Sequence, residues 1–307
     1  MNASYYRHQL GDFACISVSD GLVNYPVASF FAKVPQPEVA AALREHGLRT
    51  DQIATPYTCL FVDTGRHRVM IDLGAGDLGA HAAQVFPGLD HSTSTTGTLV
   101  PNLRAAGYSP ADVDTVIITH AHPDHVGGAL GEDGNPIFGS ARYFIGQTEW
   151  DYWMSAASGG SAIPMADLVR LNLAPLAERI TFFADGHEIV PGIRAIFTPG
   201  HTAGHTALLI TSGGEELLHV SDVVLFPLHL EHPDWLPVFD LSPTQAAASK
   251  QSIFDYAAEH NALVFAHHFP PFPNLGHVVK RAAGWQWQPL AEGPWLADPV
   301  AVDSFRA

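Results

Sequence analysis

Apolar residues recur along this chain in two rhythms, every second position in short runs and every third or fourth in longer ones. Residues 13–18, 58–63 and 69–73 are rich in β-branched and aromatic side chains and read as strands. The last two flank Thr64-Gly65-Arg66-His67, which suits a hairpin connection. A helix is expected to begin near Pro37 and stop at Gly47, because proline fits a first turn and glycine a helix end. Further helices are expected over residues 98–106, 147–156, 166–176 and, with Ser242 as its cap, 243–260; a short one starts at Ser109. Between them, residues 158–161 read as a break. Residues 113–119 contain the unbroken apolar run Val116-Ile117-Ile118, the signature of a strand buried on both faces. A second strand-rich block covers residues 193–198, 206–211 and 216–220, and one more strand covers 262–266. The stretch beyond Gly284 is read without an element.

Two strand-rich blocks, each trailed by helices, imply an α/β protein of two sheets covered outside by helices, with loops at the strand ends free to build a site. At 307 residues and 47% hydrophobic content the chain can bury such a core, and one domain spanning residues 1–307 is expected. No run approaches the ~18 apolar residues of a membrane span, and residues 1–12 lack a signal-peptide core, so a cytoplasmic protein is expected. Cys15 and Cys59 stand alone in strand-like stretches and read as buried thiols. A net charge of −16 with only 15 Lys and Arg argues against a protein that depends on neutralising phosphate backbones. Histidine, in contrast, occurs 18 times, and neutral imidazole is the commonest protein metal ligand.

Directly after the buried strand comes Thr119-His120-Ala121-His122-Pro123-Asp124-His125-Val126-Gly127-Gly128. Three imidazoles and a carboxylate within six residues supply the N and O donors that zinc prefers, and a loop can fan neighbouring side chains toward two ions. No G-x-S-x-G elbow is present, and neither cysteine has a base beside it in sequence. Gly74-Ala75-Gly76 lacks the remainder of a phosphate-binding loop and reads as a turn that needs open backbone dihedrals.

The run from His120 to His125 resembles the H-x-H-x-D-H motif of the metallo-β-lactamase superfamily at every position. Thr198-Pro199-Gly200-His201-Thr202-Ala203-Gly204-His205 resembles its second motif, which implies that His201 is a ligand and His205 structural. Leu218-His219-Val220-Ser221-Asp222 resembles the third, which makes Asp222 the bridging carboxylate and leaves His219 structural. The segment from His267 to His277 resembles the C-terminal motif of a subgroup that includes methyl parathion hydrolase. Its ligand is open between His267 and His268; keeping Phe269-Pro270 next to the ligand favours His268. The resemblance implies an αββα four-layer sandwich and two divalent metal ions, zinc above all, with iron, manganese or cobalt as substitutes. His120, His122 and His201 would hold one ion, and Asp124, His125 and His268 the other. Asp222 and a hydroxide, the nucleophile, would bridge them, and Asp124 would steer that hydroxide or take its proton. Asp72, in the family's early strand-turn, would orient a ligand histidine through its second N–H.

Such a centre attacks many ester-like bonds, so the pocket must choose the substrate. Asp151-Tyr152-Trp153 resembles the subgroup segment that places a tryptophan against the substrate; the competing reading is that Trp150 and Trp153 form a core stripe on one helix. Phe226 and Trp235 are candidates for the opposite wall. The expected activity is hydrolysis of small, largely uncharged esters, lactones or phosphotriesters. The alternatives are a nuclease or RNA-processing phosphodiesterase of the same fold, which the charge disfavours, and a di-iron oxidoreductase, for whose flavin domain the length leaves little room. The expected partner is a small molecule, with neither nucleic acid nor membrane, and a homodimer is allowed.

Overall fold

The computed structural model describes residues 4–76, 90–155 and 164–290; Ala156 and the expected break at 158–161 lie outside them. Fifteen strands form two sheets among these residues. The first runs in the order β1 (Tyr5–Leu10), β2 (Phe13–Pro26), β3 (Gln52–Asp63), β4 (Arg68–Ile71), β6 (Thr115–Ile118), β7 (Arg142–Gly146) and β8 (Ile180–Phe183), with β5 (Asp90–Thr95) paired to β2. The second runs β15 (Gly284–Pro289), β14 (Leu275–Arg281), β13 (Leu263–Phe265), β12 (Glu215–His219), β11 (Thr206–Ser212), β10 (Ile193–Phe197) and β9 (Glu188–Val190).

Strand alternation sorts the apolar residues into layers. Cys59, Phe61, Met70, Val116 and Ile118 face a cluster completed by Leu99 and Leu103 of helix Leu99–Ala105 and by Val169 and Leu173 of helix Pro164–Leu173. Their neighbours Leu60, Val62, Val69, Ile71 and Ile117 face the other way, onto Ile193, Leu208, Ile210, Leu217 and Phe265 of the second sheet. The outer face of that sheet, through Leu218, Val264, Trp285 and Trp287, packs on Ile253, Phe254 and Ala257 of helix Pro243–His260. The order is helices, sheet, sheet, helices, the αββα sandwich that the sequence implies. Each fully buried Leu, Ile or Phe contributes roughly 1.5–3 kcal/mol, so the three apolar layers outweigh any single polar contact.

The structure differs from the sequence reading at several points: β1, β5, β7, β8, β9, β14 and β15 were not expected, and β3 begins at Gln52 where the reading began a strand at residue 58. β2 extends eight residues past Val18, to Pro26. Gly284–Pro289, in the stretch read without an element, is a strand that pairs antiparallel with β14, and its Trp-Gln-Trp-Gln alternation buries both indoles. Ser242 occupies the cap position of its helix but makes no side-chain cap; its main-chain N–H donates instead to Gly200 O at 2.8 Å. No helix among the described residues is long and apolar enough to cross a membrane.

Candidate metal centre

β4, β6, β12 and β13 lie in parallel pairs, β4 with β6 and β12 with β13, and β10 runs in the direction of β12 because both are antiparallel to β11. Their C-terminal ends release Asp72, then His120 to His125, Asp222, His267 with His268, and His201. Loops outside the carboxyl ends of strands are where open sheets gather ligands, because several chain segments converge there without paired backbone. Here they converge from both sheets.

The nitrogens of His120, His122 and His201 face one another: His120 Nε2 lies 3.2 Å from His122 Nδ1, and His122 Nδ1 lies 2.9 Å from His201 Nε2. Asp222 Oδ2 is 3.7 Å from His120 Nε2 and 3.4 Å from His201 Nε2. Tetrahedral zinc with bonds of 2.0–2.1 Å separates its donors by about 3.3 Å, so this spacing fits an ion at the centre. On the other side, Asp222 Oδ1 is 3.4 Å from His125 Nε2, and His268 Nε2 lies 3.3 Å from Asp124 Oδ2 and 3.2 Å from Asp222 Oδ2. His125 Nε2 and Asp222 Oδ1 are buried and make no hydrogen bond. Leaving such atoms unpaired costs about 1–3 kcal/mol each, so a cation is the partner their placement fits.

His267 also offers a nitrogen to the group of Asp124, His125 and His268, with all four donor atoms within 4.8 Å of one another. Opposite-pointing neighbours would require an extended segment, but residues 267 and 268 follow β13 in a turn, so both rings turn inward. They differ in surroundings. His268 Nδ1 donates to Pro56 O at 3.0 Å, which leaves Nε2 bare toward the carboxylates; the His267 ring lies 4.1 Å from that of His125, with neither nitrogen hydrogen-bonded.

A second layer of hydrogen bonds fixes the rings. Asp72, itself at positive φ (59°), accepts His125 Nδ1–H at 2.8 Å and both the N–H and hydroxyl of Thr119. Asp240 accepts His201 Nδ1–H at 3.0 Å. His205 takes no place in either group; its Nε2 accepts the backbone N–H of Asp222 at 3.1 Å, and its Nδ1 meets the Thr198 hydroxyl at 2.8 Å. Glu149, fully buried, joins the two motif loops: Oε1 accepts Ala121 N–H at 2.9 Å and the Trp153 indole N–H at 2.7 Å, and Oε2 accepts Thr202 Oγ1–H at 2.7 Å and Gly204 N–H at 2.8 Å. Gly204 is required there, since a Cβ would stand 2.3 Å from Glu149 N. Asp240 and Glu149 escaped the sequence reading, because each is a lone carboxylate whose partners are distant in the chain.

Electrostatics divides the histidines. Burial, reinforced by facing imidazoles, pushes His120 well below its ordinary range and His122 to about 3, the neutral state a ligand needs. Burial would depress His201 and His268 too, but the carboxylates override it. Hydrogen bonds to Asp222 and Asp240 lift His201 to about 9, and the charge of Asp222 with its hydrogen bond to Asp124 lifts His268 to about 9. Burial alone would raise Asp222; the His268 and His125 charges hold it well below the usual carboxylate range.

A family model of the metallo-beta-lactamase superfamily matches residues 53–268, the span that holds the whole constellation. The chain belongs to that superfamily. Among relatives of this chain, an N-acyl homoserine lactonase of Bacillus cereus is 27% identical over 165 residues, half of this chain and 58% of the relative. The chain's match therefore spans less than two thirds of that relative's length. Among solved structures, AidC, a dizinc quorum-quenching lactonase, superposes with a TM-score of 0.84 at 25% identity over 94% of this chain and 98% of its own. The hydrolase AbOPH of the beta lactamase superfamily gives 0.82 at 26% identity over 95% and 99%. The relatives point to lactonases, not specifically to the methyl parathion hydrolase-like subgroup that the C-terminal run suggested.

A small pocket opens over the centre, lined by His122, Asp124, His201, Asp222 and His268 together with Tyr25, Phe30, Thr55, Met165, Leu225 and Phe239. The three aromatics considered for its wall, Trp153, Phe226 and Trp235, are not among these lining residues. Trp153 is buried behind His122, ring centroids 5.8 Å apart, with its N–H committed to Glu149. Phe226 packs edge-on against Phe30 and Phe31, and Trp235 against Phe31. Trp153 lies in the core cluster with Trp150 packed against it, the arrangement that the competing reading of a core stripe describes. The wall comes instead from the end of β2 and the segments around Leu225 and Phe239.

Proposed function

We propose that this protein is a two-metal hydrolase of small, largely uncharged lactones and related esters. The observation that carries the reading is the position of Asp222: one oxygen faces His125, the other faces His120, His201 and His268, so two donor sets meet at one carboxylate on the cavity floor. His120, His122 and His201 would hold one divalent cation, zinc by its N/O donor set, Asp124, His125 and His268 would hold the second, and Asp222 would serve both. Two such cations, when bound, ionise water near neutral pH and polarise an ester oxygen. Asp72 and Asp240 keep the donor nitrogens of His125 and His201 turned inward. Asp124, on the cavity wall, accepts the proton of the attacking water. Phe30, Met165, Leu225 and Phe239 exclude bulk water and bury an apolar acyl or alkyl group, and no Lys or Arg is among the described lining residues. A strongly anionic polymer meets a chain of net charge −16 with no cation there to receive it. The lactonase names of the relatives support the lactone within this class.

The test is a panel of acyl homoserine lactones, aryl esters, aryl phosphotriesters and a structured RNA, assayed with metal-replete protein and with Asp222→Asn as control. Metal-dependent lactone turnover, lost in the control, is expected; turnover of RNA alone would overturn the reading.

A further inference from the structure

One buried amide, that of Asn274, holds the turn that presents His268. Asn274 is completely buried and stands just before β14 in a left-handed backbone conformation, φ 65°. Its Nδ2 donates to Ala266 O at 3.2 Å and to His267 O at 3.1 Å, and its Oδ1 accepts the Thr58 hydroxyl at 3.0 Å. The two carbonyls can only accept, so they fix which end of the amide is nitrogen. The main chain joins in: Ala266 N–H donates to Asn274 O at 3.1 Å, and Thr58 N–H donates to His267 O at 3.2 Å. Both peptide planes that precede His268 are therefore gripped by one residue, which is tied in turn to β3 of the other sheet. Two positions before Thr58, Pro56 O accepts the His268 Nδ1–H at 3.0 Å. The choice at this turn is fine, since His267 and His268 each present a nitrogen within 4.8 Å of donor atoms of Asp124 and His125.

We propose that Asn274 is a positioning residue for the second ion: by fixing the carbonyls of Ala266 and His267 it sets His268 Nε2 against Asp124 and Asp222. It acts only through His268. The ligand is then pinned twice to β3, its backbone through Asn274 and Thr58 and its ring through Pro56 O. Ligand imidazoles depend on such outer partners, whose loss weakens metal binding by about 10–100-fold. Both amide hydrogens of Asn274 are spent on the turn at 266 and 267, so removing the amide should reach the second ion and spare the first. Asparagine suits the position twice over. It tolerates a left-handed backbone, and its short side chain offers two donors and an acceptor at once. Glycine keeps the first property and lacks the second, so Asn274→Gly removes the amide without straining the turn.

The proposal rests on the two-metal reading, and its test separates the two. Wild type, Asn274→Gly, Thr58→Val, their double variant and His268→Ala are compared for stepwise zinc affinities by competition with a chelator of known affinity; His268→Ala identifies the second site. Asn274→Gly is expected to weaken the second ion about tenfold or more and to leave the first within about twofold. Thr58→Val, which keeps the amide but removes its tether, should weaken the second ion less, and the double variant no more than Asn274→Gly alone. A residue that served stability alone would lower the melting temperature and leave the ratio of the two affinities as in wild type; that result would overturn the proposal. Should Asn274→Gly fail to fold, Thr58→Val decides: a selective loss of the second ion supports the proposal, and an unchanged ratio counts against it. A further readout needs no metal, the exchange of the His268 Nδ1–H with solvent, followed by NMR on the full chain and assigned by its absence from His268→Ala. It should quicken about tenfold in Asn274→Gly. If wild type binds fewer than two zinc ions, the two-metal reading fails, and the exchange still decides about Asn274: equal rates, or no protected proton in either protein, count against it, and faster exchange in the variant supports it.

Discussion

The carboxylate of Asp240 accepts the Nδ1–H of His201 at 3.0 Å, repeating on the second sheet's side of the centre what Asp72 does for His125 at 2.8 Å. Each bond selects the tautomer that turns Nε2 inward and makes the ring more basic. Asp240→Ala should therefore weaken the first ion's affinity by about 10–100-fold while leaving the fold intact. Competition against a chelator of known affinity measures this. An unchanged affinity would show that His201 needs no such support.

The turn at residues 267 and 268 gives a sharper test of the donor set. His268→Ala should drop the metal content from two ions per chain to one, because it removes the nitrogen facing both Asp124 and Asp222. His267→Ala should keep both ions. Elemental analysis of unchelated protein decides, and the reverse pattern would move the assignment to His267.

Why was so much of the centre legible in sequence and so little of its surroundings? His120, His122, Asp124 and His125 sit within six residues, so one strand-end loop announces them without knowledge of the fold. The sandwich was legible for a similar reason: residues 58–63 and 113–119 show in their own order which faces are buried. Tyr25, Glu149 and Asp240 are single residues whose partners Tyr57, Gly204 and His201 lie 32, 55 and 39 positions away, and only the folded chain pairs them. Trp153 was assigned to the substrate on a resemblance, whereas helical spacing pointed to the core stripe that it joins with Trp150. β15, by contrast, carried a readable alternation of Trp and Gln.

Phe239 closes the cavity beside Tyr25. Phe239→Ala should raise KM several-fold for lactones with long apolar acyl chains and little for those with short ones, since it removes buried contact area but no group that touches the reacting atoms. Steady-state kinetics over a chain-length series tests this; an equal rise for every chain length would place Phe239 outside the acyl pocket.

Asp20 is fully buried, which lifts its carboxyl to about 7 despite backbone hydrogen bonds from Leu99, Ala75, Gly97 and Gly76. Its unfolded value is near 4, so over that interval the folded chain holds a proton that the unfolded chain has released. This contribution to stability is complete below about pH 4, falls as pH rises toward 7, and is flat beyond. Asp20→Asn should lose that slope: the stability difference between wild type and variant, from urea unfolding at pH 4.5 to 8, should shift toward the variant as pH rises. A constant difference would show that Asp20 does not titrate in this interval.

Glu149 ties the loop carrying His120 and His122 to the loop carrying His201 through one carboxylate. The two strand ends belong to different sheets, yet they share a single point of failure. If helix Gln147–Met154 opens, the amides of Ala121 and Gly204 lose their acceptor together, so their hydrogens should exchange with solvent at matching rates and with matching sensitivity to denaturant, although 83 positions separate them in the chain. The two halves of the centre would then form and dissolve as one cooperative unit, and selection for stability in this short helix would act on the chemistry of both sheets at once.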